Sequence, residues 1–160
     1  MGKNNKKNFK IDENERLNPR NLIGASKLYH EKELKLFKNY NKSKEIDILR
    51  IFRGYGCGSN DIVSRWVRAA LLNKSLKVYG EKGKFDYIFS EDSANAIFSL
   101  IKKKTKNNSN NIFNLGSGQN YQINDLLQIL KNKFKKIKII KTNKKILLEN
   151  SFSNNQKIFK

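Results

Sequence analysis

Short apolar runs alternate with amphipathic segments along most of this chain, and this pattern limits the folds it can adopt. Residues 46–52 form a run rich in branched side chains, which is typical of a strand buried on both faces. A glycine-containing turn follows, and apolar residues then recur at helical spacing from Ile62 to Leu71. Strands that alternate with helices in this way predict an α/β domain with parallel strand pairs.

The remaining segments continue this alternation. Ser59, Asn60 and Asp61 are three candidate caps for the helix that begins at Ile62. We expect further strands at residues 76–79, 85–89, 112–115 and 137–141, and further helices at residues 24–40, from Ser90 onward and from a cap at Asn124. The apolar side chains expected to face the core are Leu28, Tyr29, Leu36, Phe37 and Tyr40 in the first helix, Trp66 in the second, Ala94, Ile97, Phe98 and Ile101 in the third, and Leu126, Leu127, Leu130 and Phe134 in the fourth.

Three regions are distinguished by composition. Residues 1–21 show no apolar period and predict an irregular lead-in, and residues 22–149 carry the predicted elements of the domain. Residues 102–111 form a polar, low-complexity loop within it. Residues 150–160 are polar and predict a loose tail.

Basic residues outnumber acidic ones by 34 to 14, which gives a formal net charge of +20. Such a charge is typical of proteins that bind nucleic acid or an anionic membrane surface. The lysines, however, are scattered over tails and helix faces, and they accompany many Asn, Ile and Phe residues, a mixture expected from an A+T-rich genome. We therefore interpret most lysines as solvated, with a positive field that attracts phosphorylated substrates.

Cys57 is the only cysteine, so an intrachain disulfide is excluded. No apolar run is long enough to span a bilayer, and the first ten residues lack the apolar stretch of an export signal. These features predict a cytoplasmic protein without membrane contact. No metal site is predicted.

Five short segments carry a resemblance to one enzyme family. They are Gly24-Ala25-Ser26-Lys27 with Glu31 or Glu33, ILRIFRGYG at 48–56, LKVYG at 76–80, FDYIFSED at 85–92 and IFNLGSG at 112–118. In this order and at about this spacing, they resemble the NAD-dependent epimerase/dehydratase family, the extended short-chain dehydrogenases that act on sugar nucleotides. The resemblance runs from about residue 18 to the C-terminus.

The resemblance implies a partial Rossmann-type fold with the smaller C-terminal substrate-binding lobe of the family. Proteins of the family begin with a strand, a Gly-rich turn and a helix N-terminus that receives the cofactor pyrophosphate. That fingerprint is absent from this sequence, since the spacing of Gly54, Gly56 and Gly58 does not match it. We therefore expect the back half of an epimerase, without the N-terminal dinucleotide-binding strands.

By the same resemblance, Lys27 is the family lysine that holds the nicotinamide ribose of the cofactor. In the family it also supports a tyrosine four residues earlier, which exchanges a proton with a substrate hydroxyl. Ile23 occupies that position here, and its side chain has no proton to transfer. Tyr29 does not replace it, because residues two apart lie on different helix faces.

Three basic residues are the candidates for binding substrate phosphates. Arg53 stands where the family usually has an asparagine near the nucleotide-sugar phosphates. Phe85 replaces a family arginine, which leaves Lys82 and Lys84 as the cations of that loop. A lysine ammonium lacks the bidentate fork of a guanidinium, so these two lysines recognise a diphosphate less specifically.

The sequence favours a truncated or degenerate sugar-nucleotide epimerase/dehydratase-like protein that is inactive alone. The family implies NAD or NADP as cofactor and a nucleotide sugar as substrate, and we expect the chain by itself not to bind the dinucleotide. One alternative is the substrate-side subunit of a split enzyme, whose partner chain supplies the N-terminal half. We expect both the truncated protein and the subunit of a split enzyme to expose apolar surface on the side of the missing strands. The other alternative is a basic nucleic-acid-binding protein.

Overall fold

Helices and short strands alternate in the computed structural model, which describes residues 9–80, 82–103, 111–134, 136–142 and 150–159. Within these residues the helices are α1 (Leu22–Tyr40), α2 (Ile62–Leu71), α3 (Ser90–Lys102) and α4 (Ile123–Lys133). The strands are β1 (Phe9–Ile11), β2 (Asp47–Ile51), β3 (Arg53–Tyr55), β4 (Leu76–Val78), β5 (Lys84–Phe85), β6 (Tyr87–Phe89), β7 (Asn111–Leu115), β8 (Tyr121–Gln122), β9 (Ile139–Lys141) and β10 (Asn150–Ser153). Each predicted helix is present, and each predicted strand segment contains a strand. Residues 104–110 of the predicted polar loop lie outside the described residues.

Parallel pairing dominates the described strands. β2 pairs with β7, and after Phe52 the chain changes partner, so that β3 pairs with β6. β4 pairs with β9, and a four-stranded sheet has the order β1-β10-β5-β8, in which the pair of β5 with β8 is antiparallel. Parallel strands joined through helices confirm the predicted α/β class.

The largest apolar cluster lies where α2, α4 and β4 meet. Its buried members are Trp66, Leu76, Val78, Ile123, Leu127 and Leu130. The indole of Trp66 donates a hydrogen bond to the carbonyl oxygen of Lys77 at 3.2 Å, so its polar atom is satisfied inside the cluster. The predictions of a core Trp66 and of a buried stripe through Leu127 and Leu130 are confirmed.

The structure shows which residues cap the starts of α2 and α4. Asp61 is the cap of α2, and its carboxylate accepts a hydrogen bond from the backbone N–H of Ser64 at 3.0 Å. The predicted cap at Asn124 is wrong, because α4 begins one residue before it. The cap residue is Gln122, whose backbone N–H donates to the carboxylate of Asp125 at 2.8 Å in a capping box, and Asn124 lies inside the first turn.

The predicted inward stripes of α1 and α3 are wrong. Tyr29, Leu36, Phe37 and Tyr40 are all more than half exposed, and Leu28 alone of the predicted α1 set is partly buried. In α3, Ala94, Phe98 and Ile101 are exposed and only Ile97 of the predicted set is partly buried, whereas Ser93 and Leu100 are buried. The prediction equated apolar side chains with the buried face, but both helices contact the rest of the described chain through a stripe that includes polar residues.

The lead-in and the tail are more ordered than predicted. β1 pairs in parallel with β10, with Phe9 opposite Ser151, and β10 in turn pairs with β5. The expectations of an irregular lead-in and a loose tail are therefore wrong for residues 9–11 and 150–153. Strands this short carry little periodicity, and their pairing joins residues more than 140 positions apart, which no local pattern reveals.

Hydrogen bonds to the carboxylate of Asp86 link β10 to the glycine turn at residues 116–118. Its carboxylate is 1% exposed and accepts hydrogen bonds from the backbone N–H and hydroxyl groups of Ser117 and Ser153, at 2.6 to 2.9 Å, and from the backbone N–H of Gly118. Gly116 lies so close to this carboxylate that a Cβ atom there would overlap it. The glycine turn of residues 116–118 is thus explained by packing against Asp86.

A buried ion pair holds α1 on the sheet. Glu31 accepts hydrogen bonds from Arg50 Nε at 3.0 Å and Nη2 at 2.7 Å, and from Lys35 Nζ at 3.1 Å. Burial by itself would raise the pKa of Glu31, but the hydrogen bonds and charges of Arg50 and Lys35 outweigh it and hold the pKa below its usual 4.5. Arg50 also donates to the carbonyl oxygen of Glu13 at 2.7 Å, which ties the lead-in to the same site.

We predict that Glu31→Gln destabilises the protein by roughly 3 kcal/mol, because it leaves the guanidinium of Arg50 without its charged partner. The measurement is the free energy of unfolding in urea at neutral pH. Glu33→Gln is the matched control, since Glu33 is exposed on the same helix. Equal stability of the two variants would contradict a structural role for the pair.

The lowered pKa of Glu31 also fixes the sign of a pH effect. Because the unfolded state binds this proton more readily, the contribution of Glu31 is fully present above the unfolded pKa and is lost as the pH falls through the folded pKa. The wild-type protein should therefore lose more stability than Glu31→Gln on acidification from about pH 6 to about pH 3. Parallel pH profiles of the two proteins would exclude this contribution.

Candidate functional site: an aromatic cavity with two arginines

A cavity of about 540 Å³ lies between β3, the ends of β4 and β5, and the start of α2. This volume is in the range of pockets that hold small organic ligands. Its apolar wall includes Phe52, Tyr79, Phe85 and Tyr87, and its charged wall includes Arg53 and Arg65.

Strand pairing brings the first arginine to the aromatic wall. Arg53 is the first residue of β3 and lies opposite Tyr87 of β6 in the parallel register. Its backbone N–H donates to the carbonyl oxygen of Asp86 at 3.0 Å. The guanidinium carbon of Arg53 lies 4.0 Å from the ring centroid of Phe85, within the range of a cation–π interaction.

The second arginine comes from the first turn of α2. Arg65 follows the cap residue Asp61 by four positions, and its side chain is exposed and lines the cavity. Among the described residues, no carboxylate forms an ion pair with Arg65. A guanidinium without a carboxylate partner is available to bind an anionic ligand.

Asp61 is the acidic residue of the described cavity wall, and it is engaged in the helix. Burial raises the pKa of its carboxyl group, but hydrogen bonds from Ser64, Ser59 and the backbone outweigh this effect and lower the pKa below its usual 3.8. Asp61 is therefore ionised at neutral pH and serves the N-terminal N–H groups of α2. Because the N–H of Ser64 donates to this carboxylate, a phosphate in the cavity would be bound by side chains rather than by the helix start.

The cavity suits a ligand with a flat ring and a phosphate group. Aromatic side chains offer faces on which a base can stack, and a guanidinium binds phosphate oxygens through two parallel hydrogen bonds. Among the described residues, the wall contains no histidine or cysteine and no pair of carboxylates for acid–base work.

The structure places the predicted site residues in different locations. Arg53 lines the cavity, whereas Lys82 and Lys84 are not among the described residues that line it. Lys82 is exposed and Lys84 is half-buried in β5, whose next residue, Phe85, lines the cavity. Because neighbouring residues of a strand point to opposite faces, Lys84 and Phe85 face different sides.

Lys27 and Ile23 lie apart from the cavity. Both are exposed on α1, and Ile23 is 74% exposed. No described contact brings either of them to the cavity wall. The sequence analysis did not identify Arg65 as a site residue. Arg65 lies three residues after Ile62, so the two residues share one face of the first turn of α2.

The glycine turns show whether a dinucleotide fits the described residues. A Cβ atom at Gly56 would overlap the side chain of Ser90, and one at Gly116 would overlap Asp86. The close approaches that these glycines permit are made by the chain itself, and the nearby start of α2 is occupied by the carboxylate of Asp61. Gly56 and Gly116 therefore leave no room for the pyrophosphate of NAD.

Two further properties of the described residues bear on function. No group of three His, Cys, Asp or Glu residues is placed to hold a metal ion. None of the described helices combines the length and the apolar character that crossing a membrane requires.

Comparison with known proteins gives a consistent result. The sequence profile of the NAD dependent epimerase/dehydratase family matches residues 1–116. A protein of Methanocaldococcus jannaschii named as a putative UDP-glucose 4-epimerase is 30% identical over 128 residues, which are 76% of this chain and 40% of that protein.

Solved structures extend the comparison to the fold. UDP-N-acetylglucosamine 4-epimerase from Bacillus cereus superposes with a TM-score of 0.76 at 21% identity, over 92% of this chain and 52% of that one. ADP-L-glycero-D-manno-heptose-6-epimerase from Helicobacter pylori gives a TM-score of 0.79 at 19% identity, over 94% and 48%. The chain thus spans about half the length of these proteins, and the predicted Rossmann-type fold is confirmed over that part.

Proposed function

Because the chain belongs to the NAD dependent epimerase/dehydratase family, we propose that it is a truncated or degenerate member that binds a nucleotide sugar and does not transfer a hydride alone. The observation that carries this proposal is the cavity of aromatic and arginine side chains. It offers binding groups for a base and a diphosphate, whereas the position of the family's proton donor is occupied by Ile23.

The ligand class follows from the cavity and from the relatives. Proteins similar to this chain are named as epimerases of UDP-glucose and UDP-N-acetylglucosamine. We assign a nucleoside-diphosphate sugar to the cavity, with the base against the aromatic wall and the diphosphate toward Arg53 and Arg65. Lys82 and Lys84 remain proposed contributors to the positive field around the entrance.

The absence of catalysis follows from two features of the chain. Removing a general acid–base group lowers the rate by roughly a hundredfold to ten-thousandfold, and Ile23 has no such group. NAD or NADP supplies the hydride chemistry in the family, and neither Gly56 nor Gly116 leaves room for its pyrophosphate. Lys27, the proposed ribose-binding residue, therefore has no catalytic role in the isolated chain.

We predict that the purified chain binds UDP with a Kd on the order of 100 μM and binds uridine more weakly, because uridine lacks the phosphates that the arginines recognise. Isothermal titration calorimetry measures both affinities. NAD at the same concentrations should give no binding heat. Micromolar binding of NAD, or equal binding of UDP and uridine, would contradict the proposal.

A second candidate is the substrate-side subunit of a split enzyme, and α1 favours it. The exposed side of this helix carries Leu22, Tyr29, Leu36 and Tyr40, each more than half exposed, while its opposite side buries Glu31. An exposed apolar face formed by these four side chains marks a surface that another protein covers. We assign it to a chain with a Gly-rich βαβ start, which would supply the cofactor platform.

Co-expression tests this second candidate. A neighbouring open reading frame that encodes such a βαβ unit should co-purify with the tagged chain, and the complex should bind NAD. Leu36→Lys should abolish the complex, because a charge on the apolar face disrupts its packing. Ile129→Lys is the matched control, since Ile129 on α4 is 59% exposed and Leu36 is 56% exposed. Equal loss of the complex in both variants, or no complex at all, would contradict the assignment.

A further inference from the structure

We infer that the open edge of β2 pairs with the β2 strand of a second copy of this chain, so that two copies form a two-fold symmetric dimer through one continuous sheet. The inference goes beyond the proposed function and does not depend on what the cavity binds. It concerns a surface separate from the cavity, because no residue of β2 lines the cavity among the described residues.

One edge of β2 is paired and the other is open. All five residues of β2 lie in register with β7. The backbone N–H of Phe52 donates to the carbonyl oxygen of Leu115 at 2.9 Å, so the backbone groups of Phe52 and, by alternation, of Arg50 point toward β7. Those of Leu49 and Ile51 point the other way, where no described strand pairs with β2. The open edge therefore presents N–H and C=O groups to a further strand.

The far edge of β7, in contrast, is closed by the chain itself. The backbone N–H of Asn114 donates to the carboxylate of Glu13 at 2.9 Å, and the carbonyl oxygen of Ile112 accepts a hydrogen bond from Lys157 Nζ at 2.8 Å. By the same alternation, both backbone groups lie on the edge away from β2. No described side chain makes such a bond at the open edge of β2. The sheet can thus gain a strand at β2 and not at β7.

The residues of β2 suit pairing with another strand. β2 and β7, with five residues each, are the longest described strands. Natural edge strands are guarded by lysine, proline or a bulge, and β2 has none of these. Arg50 points to α1, where it binds Glu31, so Leu49 and Ile51 lie on the opposite face. There Leu49 is half-buried and Ile51 is 49% exposed, which adds an apolar strip beside the open edge.

The symmetry of the open edge selects a second copy as its occupant. Two copies related by a two-fold axis normal to the sheet place their β2 strands antiparallel. With the axis at Leu49, the outward backbone groups of Asp47 meet those of Ile51 in the other copy, and the two Leu49 residues meet each other. Every outward group of the open edge then has a partner. The two Leu49 side chains also pack across the axis.

The charges near β2 are complementary in this arrangement. Glu45 and Asp47 are exposed at the start of the strand, and no described ion pair holds either carboxylate. Arg53 is exposed just beyond the end of the strand. Antiparallel pairing brings the acidic start of one copy toward the basic end of the other. A parallel pair of the same strands would place the two Asp47 carboxylates side by side, which is unfavourable.

Sedimentation equilibrium of the full chain tests the inference. The mass should rise from 18.7 kDa toward twice that value as the concentration increases through about 10 to 100 μM. The buffer should contain about 0.15 M salt, because each copy carries a formal charge of +20 and repulsion between exposed charges is then screened beyond about 8 Å. A monomer throughout this range would overturn the inference and leave the proposed function intact.

Two substitutions of opposite charge test the register. Leu49→Lys should abolish the dimer, because two ammonium groups would face each other across the axis, and Leu49→Glu should do the same with two carboxylates. An equimolar mixture of the two variants should restore a dimer. Ile140→Lys is the matched control that should dimerise like the wild type, since Ile140 is 47% exposed on β9. A dimer of either Leu49 variant alone, a monomeric mixture of folded variants, or loss of the dimer in Ile140→Lys would overturn the inference.

Hydrogen exchange of the wild-type chain decides if the Leu49 variants do not fold. The backbone amides of Leu49 and Ile51 should exchange rapidly in dilute samples and slowly at concentrations at which the dimer forms. The amide of Arg50, which points toward β7, should be protected in both samples. Rapid exchange of Leu49 and Ile51 in the dimer would overturn the inference, because the two copies would then meet at another surface.

Discussion

The ion pair between Glu31 and Arg50 determines how the described part of the chain is assembled. It joins α1 to β2 in a buried environment, and Arg50 extends it to the lead-in through the carbonyl oxygen of Glu13. The carboxylate of Glu13 in turn accepts the backbone N–H of Asn114 in β7 at 2.9 Å. One connected set of polar contacts therefore fixes a helix, two paired strands and the chain that precedes them.

This polar attachment explains the unusual orientation of α1. A buried charge pair must be satisfied in place, so the side of the helix that carries Glu31 has to face the strands. The apolar side chains of the helix then point away from the described chain. Lys27 and Ile23 are exposed on the same helix, and neither is among the described residues that line the cavity.

The cavity depends on a second buried carboxylate. Asp86 lies between Phe85 and Tyr87, two residues of the aromatic wall, and its hydrogen bonds to Ser117 and Ser153 immobilise this stretch of backbone. Its own carbonyl oxygen accepts the backbone N–H of Arg53. The chain thus uses Asp86 to place an arginine beside an aromatic ring.

Sequence reasoning succeeded where a pattern is local. The spacing of Trp66 and Leu127 on their helices reflects burial directly, and the motif order identified the family. It failed for α1, because hydropathy does not reveal which face of a helix the rest of the described chain covers. It also missed β10 and Arg65, since strand pairing over a long separation and convergence of two elements on one cavity are properties of the folded chain.

The central proposal is that the cavity between β3 and α2 binds a nucleotide and that Lys27 holds no cofactor in the isolated chain. An NMR titration of the ¹⁵N-labelled chain tests it most directly, because each backbone amide reports on its own surroundings. UDP should shift the amide signals of Arg53, Phe85 and Arg65 and leave those of α1 unchanged, and NAD should shift neither set. Shifts around Lys27 on addition of NAD, with no response of the cavity to UDP, would contradict the claim.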